Sequence, residues 1–182
     1  MKAAVIQGSA RNGGNSDLLA RIVVEGLPHE AVHLASAHLP HVNDRRHTDL
    51  GFGPVDPGYS AIMQRILDCP VWVFASPVYW YGFSGLMKDF IDLWSHIMRA
   101  PEWQFTERMA GKHAFLAVAG GDNPRLKAMG LVQQFYWTAD FMKMRFGGYV
   151  IGEGNRPGDV LKDRSAVEEA RILNRQVAAL LA

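Results

Sequence analysis

The chain has 182 residues, of which 48% are hydrophobic and 20% charged, the composition of an ordinary globular domain and not of a disordered chain. A formal net charge of +1 and an isoelectric point near 7.9 exclude the broad basic footprint of a nucleic-acid binder and the acidic surface that docks onto basic partners. One cysteine, Cys69, excludes an internal disulfide and a cysteine metal cluster, so a reducing compartment, by default the cytoplasm, is expected.

Met1-Lys2 runs straight into an apolar segment, without the charged start and apolar stretch of a signal peptide. No apolar run approaches the length of a membrane span, and no membrane partner is expected.

The first apolar run, Ala3-Ala4-Val5-Ile6, predicts a strand. Leu18, Leu19, Ile22 and Val23 then mark one face of a helix expected to stop at Gly26. Ala31-Val32-His33-Leu34 predicts a second strand, and a long irregular stretch follows from Pro40 to Gly58. Ile62, Ile66 and Leu67 suggest a short helix. The run Val71-Trp72-Val73-Phe74-Ala75 is continuously apolar, as in a strand covered on both faces.

Phe83, Leu86, Met87, Phe90, Ile91, Trp94, Ile97 and Met98 recur at helical spacing over about four turns. Ala114-Phe115-Leu116-Ala117-Val118 predicts a fourth strand running into Gly120-Gly121. A helix is expected from about Pro124 to Arg145, a fifth strand at Tyr149-Val150-Ile151, and a final amphipathic helix over residues 160–182. This alternation implies one α/β domain over residues 1–182, with a parallel sheet covered by helices on both faces.

In such a sheet ligands lie beyond the carboxyl ends of the strands, where the winding reverses. The loops after the first, third and fourth strands are therefore the ones to read: residues 8–16, 76–82 and 120–124.

Residues 8–16 read Gly-Ser-Ala-Arg-Asn-Gly-Gly-Asn-Ser and precede a helix N-terminus, where unpaired N–H groups favour an anion. Ser9, Asn15 and Ser16 offer hydrogen bonds to phosphate oxygens, and Arg11 a charge-assisted pair. The Gly-Lys-Ser/Thr ending of a triphosphate loop is missing, and so is the Gly-x-Gly-x-x-Gly of a dinucleotide fingerprint. The plainer reading is that Asn15 or Ser16 caps the helix.

Residues 76–82, Ser-Pro-Val-Tyr-Trp-Tyr-Gly, put three aromatics just after the central strand. They suit stacking on a flat ligand, or packing against a helix or a second subunit.

The loop at 8–16 resembles the Gly-Ser-x-Arg-x-x-Gly-Asn-Ser/Thr loop of the NAD(P)H-dependent FMN reductase family. Residues 76–94 resemble that family's Ser-Pro-x-Tyr loop and the Met-Lys-x-Phe-Ile-Asp helix behind it. The resemblance implies a flavodoxin-like three-layer fold with sheet order 2-1-3-4-5, a bound FMN, and NAD(P)H as co-substrate. It assigns Ser9, Arg11, Asn15 and Ser16 to the FMN phosphate. Pro77, Val78, Tyr79, Trp80 and Gly82 would border the isoalloxazine ring, with Gly120 and Gly121 opposite.

Since FMN carries the redox chemistry, no catalytic side chain is expected. The implied reaction is ping-pong hydride transfer to a small acceptor: a quinone, a free flavin, an azo or nitro aromatic, or a metal complex. A homodimer or homotetramer is implied too, with Trp94 and Trp103 as interface candidates, although the helical spacing of Trp94 fits the core of one subunit equally well.

A flavodoxin-type electron carrier and a flavin-binding protein without turnover are the alternatives, and near-neutral charge disfavours the carrier. A phosphoacceptor signalling domain is excluded, because Gln7-Gly8 and Ser76-Pro77 stand where that class needs acidic residues.

Five of the seven histidines lie between His29 and His47. Although His38-x-x-His41 has a tolerable ligand spacing, no cysteine or Glu-x-x-His pattern supports a metal, and none is expected. Arg45-Arg46 is a candidate for the 2′-phosphate of NADPH, with a solvated charge pair as the alternative. Residues 42–56 are a candidate lid.

Overall fold

The structure, a computed structural model, describes residues 1–182. Its elements in chain order are β1 (Ala3–Gln7), α1 (Asn15–Val23), β2 (His29–His33), α2 (Pro57–Ile66), β3 (Val71–Pro77), α3 (Gly85–Asp92), α4 (Trp94–Ile97), α5 (Phe105–Met109), β4 (His113–Gly120), α6 (Pro124–Lys127), α7 (Met129–Phe141), β5 (Arg145–Glu153) and α8 (Arg164–Leu181). The strands form one sheet in the order β2-β1-β3-β4-β5, and every pairing is parallel. The winding reverses between β1 and β3, which opens a crevice at their carboxyl ends.

The inner strands β1, β3 and β4 are almost wholly apolar because both faces are covered, whereas the edge strand β2 buries only Val32 and β5 is exposed at both ends; the two faces of the sheet also differ. In β3, Val71, Val73 and Ala75 face the core that α1 and α8 close with Leu19, Val23, Ala170 and Val177. Trp72 and Phe74 face the opposite core, with Phe90, Trp94 and Phe135. Small side chains on one face let α1 sit close to the sheet, and this places its N-terminus at the crevice.

The second strand lies at His29–His33 instead of 31–34 and the last helix begins at Arg164, after a 3₁₀ turn over Asp159–Lys162, instead of at 160; three other predicted elements differ more. The helix expected over residues 83–98 is interrupted at Leu93, where ψ of −14° tightens the backbone toward a 3₁₀ turn. The helix expected over 124–145 is two helices parted at Ala128, and α7 ends early. Lys143 adopts a left-handed conformation, and Met144 N–H bonds back to Ala139 O at 2.9 Å. This helix stop uses lysine where glycine is usual, so the sequence carried no signal for it.

The fifth strand therefore starts at Arg145. It is irregular where its register with β4 shifts, between Ala114 and Phe115. A Cβ on Gly147 would lie 2.4 Å from Phe115 Cζ, so the phenyl ring fills the space a larger residue would take. Trp94, an interface candidate from the resemblance, is buried among Trp72, Phe74, Phe90 and Phe105. It belongs to the core of a single chain, while Trp103 packs half-buried against that core.

Candidate functional site

Three loops meet at the carboxyl ends of β1, β3 and β4; two buried serines tie the first to the second, and Val78 N–H bonds to Ala119 O at 2.8 Å on the β4 side. Ser84 Oγ donates to Gly8 O at 2.6 Å and accepts Met87 N–H at 3.2 Å, which caps α3. Ser76 Oγ accepts Ser84 N–H at 3.1 Å and donates to Pro77 O at 2.9 Å. Ser76 opens the Ser-Pro-x-Tyr loop marked in the sequence, whereas no sequence pattern marked Ser84 or the bonds between the two. Their role depends on the crossing of loops 76 residues apart in the chain.

The cleft so formed has a volume of about 240 Å³. Ser9, Arg11, Asn15, Ser16, Pro77, Val78, Tyr79, Gly120 and Gly121 all line it, so the structure brings together nine of the eleven residues named from sequence. Trp80 lines an adjoining hollow instead. Gly82 lines neither, and its backbone closes the 79–82 turn.

A fourth wall comes from Gly154, Asn155 and Pro157, beyond β5. The rule that ligands lie beyond strand ends marks this loop too, but the strand itself was expected to stop at Ile151.

Within the first loop each group has a distinct state. Ser9 Oγ accepts Arg11 N–H at 3.1 Å and fixes the turn. A Cβ on Gly14 would come within 2.7 Å of that same oxygen, so glycine permits the close return of the chain. Arg11 is exposed, and its guanidinium has no partner in the chain. Ser16 is buried, and its Oγ has no hydrogen-bond partner.

An orphaned buried hydroxyl costs free energy unless something outside the chain satisfies it. A helix N-terminus and an unpaired guanidinium that line one cleft suit an anion. The donor set fits the phosphate of FMN.

Asn15 behaves differently from the expectation. Its Oδ1 accepts Gly158 N–H at 2.9 Å and its Nδ2 donates to Arg156 O at 3.0 Å. The amide thus anchors the fourth wall to the phosphate loop. Asp17 lies fully buried beneath the same loop, and burial raises its carboxyl pKa against the opposing pull of His33, the Gly14 N–H and Arg21.

At the cleft mouth the aromatic loop makes a tight turn. Tyr79 N–H bonds to Gly82 O at 3.1 Å and Gly82 N–H to Tyr79 O at 3.0 Å. Between them Trp80 and Tyr81 adopt φ of 49° and 64°. That is the geometry of a type I′ turn, which prefers Asn and Gly. Side chains larger than Asn held there cost roughly 1–2 kcal/mol each. The turn displays Trp80 at 96% exposure.

The histidine-rich stretch is strapped onto α3 and α4. His41 Nδ1 lies 2.7 Å from Asp89 Oδ1, His96 Nε2 lies 3.0 Å from Gly53 O, and Phe52 stacks on His96 with ring centroids 5.0 Å apart. Of the two arginines, Arg46 is held by Asp44 in a bidentate pair. No three metal-ligating side chains converge anywhere in the chain.

Asp89 raises the pKa of His41. A raised folded value stabilises the strap fully below the unfolded histidine value of about 6.5, and the contribution is lost as pH rises through the folded value. Hydrogen exchange of residues 42–56, corrected for intrinsic rate, is therefore expected to accelerate from about pH 6 to about pH 8. Asp89→Asn should flatten that profile, and a profile unaffected by this substitution would refute the strap.

The five-stranded order and the crevice at its switch point define a flavodoxin-like α/β protein. The model of the NADPH-dependent FMN reductase family matches residues 1–156, and the chain belongs to that family. A Bacillus subtilis (strain 168) protein named as an NAD(P)H-dependent FMN-containing oxidoreductase, YwqN, is 46% identical over 180 residues, spanning 98% of this chain and 99% of the relative.

The solved structure of the Trp repressor binding protein from Bacillus subtilis superposes with a TM-score of 0.79 at 42% identity, covering 95% of this chain and 99% of that one. An FMN-dependent NADH-azoreductase from Bacillus anthracis, solved with FMN, shares the fold at a TM-score of 0.69 and 14% identity, covering 98% of this chain and 100% of that one. No helix is long and apolar enough to cross a membrane.

Proposed function

We propose that this chain binds FMN in the cleft and works as an NAD(P)H oxidoreductase in two half-reactions, NAD(P)H leaving before a small acceptor enters. The acceptor classes are quinones, free flavins, azo or nitro aromatics, and metal complexes. The observation that carries the reading is the convergence of the orphaned Ser16 hydroxyl and the unpaired Arg11 on one cleft.

Arg11, Ser16 and the α1 N-terminus would hold the phosphate, with Ser9 shaping the turn. Pro77, Val78 and Tyr79 on one side, and Gly120 and Gly121 on the other, would border the ring. Bound there, FMN supplies the two-electron chemistry, which is why the site needs no side-chain nucleophile.

Copies of the chain would pair through the outer face of α7, where Met129, Tyr136, Trp137 and Phe141 are exposed and Asp140 is the only charge on the helix.

The test is the purified protein itself. It should be yellow, with absorbance near about 450 nm from the flavin, should release FMN on denaturation, and should run in light scattering as a dimer or tetramer. Anaerobic NADPH or NADH should bleach it rapidly. A colourless protein that takes up no FMN refutes the cofactor, and a yellow one inert to both nicotinamides is a carrier instead.

A further inference from the structure

Six buried side-chain polar atoms have no hydrogen-bond partner in the chain, and five of them belong to Ser16, Asp17 and His33. Ser16 lines the cleft, whereas Asp17 and His33 do not. Their four orphaned atoms, both carboxyl oxygens and both ring nitrogens, sit behind the loop that faces the ligand. We propose that Asp17 and His33 are positioning residues for the cofactor phosphate: when the loop holds the dianion, the pair takes up one proton from solvent, so that no net negative charge stands behind it. The inference rests on the reading of the cleft as the FMN site.

The winding of the chain puts the two groups on one side of the sheet. Asp17 is the third residue of α1 and is fully buried. His33 ends β2, in register with Gln7 of β1. Side chains alternate along a strand. Val32 faces the core of Trp72 and Phe74, so His33 turns to the opposite face, which α1 covers. There the imidazole is the strongest pull against the burial that raises the Asp17 pKa.

The donors of the loop link this pair to the phosphate. Gly14 and Gly13 N–H also draw the Asp17 pKa down, although neither closes a hydrogen bond on the carboxyl. Gly14 lines the cleft as well. An ionised carboxyl therefore pulls inward on N–H groups that suit a phosphate, and it repels the dianion through a poorly solvated interior. One proton on the pair cancels the repulsion, and on the carboxyl it also frees the N–H groups.

Arg21, on α1 itself, is the other charge acting on Asp17. Arg21 and Arg11 stay cationic throughout the pH range of the test. From the other elements packed on this side, β3, β4 and α8, come apolar side chains such as Val73, Ala117 and Ala170.

A proton taken up on binding makes affinity fall as pH rises. The FMN phosphate is a dianion above about pH 7, and riboflavin carries the same ring without it. The experiment is calorimetric titration of the flavin-free full chain with FMN and with riboflavin from about pH 7 to about pH 9. Buffers of different ionisation heat count the protons.

The wild type should take up roughly half a proton or more with FMN at about pH 7.5, and none with riboflavin. Its ratio of FMN to riboflavin affinity should fall roughly three- to tenfold across the range. Asp17→Asn keeps the shape and an acceptor and removes the titration. It should take up no proton, and at about pH 9 its ratio should exceed that of the wild type roughly threefold or more. His33→Gln leaves the carboxyl unaccompanied and should give a low, flat ratio over the same range.

Equal proton counts for FMN and riboflavin in the wild type overturn the inference, and that measurement needs no variant. So does an Asp17→Asn protein that binds FMN more weakly than the wild type at every pH, as a purely structural carboxyl requires. An unchanged profile in His33→Gln overturns it too. A protein that takes up no FMN sinks this inference together with the reading beneath it. One that binds FMN without the extra proton sinks this inference alone.

Discussion

Replacing Arg11 and Ser16 together with alanine is expected to weaken FMN binding by about 100-fold or more. Charge-assisted hydrogen bonds from a guanidinium contribute about 1.5–3 kcal/mol and a hydroxyl about 1 kcal/mol, and about 1.4 kcal/mol is a factor of ten. Riboflavin, which lacks the phosphate, should bind wild type and double variant alike. Equal losses for FMN and riboflavin would place these residues elsewhere on the ligand.

Ser16 adds a second signature. Its buried hydroxyl is unsatisfied within the chain, so Ser16→Ala removes a cost that folding otherwise bears. The flavin-free variant should melt at or above the wild-type temperature while its FMN affinity falls. Opposite signs for stability and affinity separate a ligand-facing hydroxyl from one that merely supports the fold. A Ser16→Ala variant that loses both together would show that the hydroxyl serves the fold.

Trp72→Ala is expected to cost about 3–5 kcal/mol of stability. Trp72 is fully buried in the central strand, with ring centroids 5.9 Å from Phe74 and 6.4 Å from both Phe90 and Trp94. Truncation leaves a large cavity among stiff rings that cannot close over it. It also strands the Cys69 carbonyl, which accepts Trp72 Nε1–H at 3.1 Å, although Lys112 Nζ at 2.9 Å partly compensates.

For a chain of this size the loss corresponds to a fall of about 10 °C in melting temperature. The comparison belongs to the flavin-free protein, because bound ligand adds stability by mass action. A shift below about 2 °C would mean that the aromatic cluster repacks.

Much of the site was legible because its parts are local. An apolar strand, a glycine-rich turn and a helix start are contiguous in Ala3–Val23, so the anion-binding character of residues 8–16 can be read without a partner. The proline and three aromatics after Ala75 are equally local. Sheet order was not local, and it came from the resemblance to a known family.

The states of individual side chains were less legible. Asn15 and Ser16 are neighbours with similar chemistry in sequence, yet one is consumed by backbone groups of residues 156–158 and the other is left without a partner. Spacing also allowed Trp94 to face either a second subunit or its own core. The fold decided for the core, because β3 presents Trp72 and Phe74 on the face that Trp94 covers.

By itself, then, the sequence determined the alternation of strand and helix, the strand-end loops and the kind of ligand they suit, because those follow from periodicity and from the chemistry of adjacent residues. Tertiary structure alone decided which donors stay free, that Gly154–Pro157 close the cleft, and that His33 acts on the buried Asp17 beneath the phosphate loop. Each of these depends on hydrogen bonds and packing between segments brought together only by the winding of the sheet.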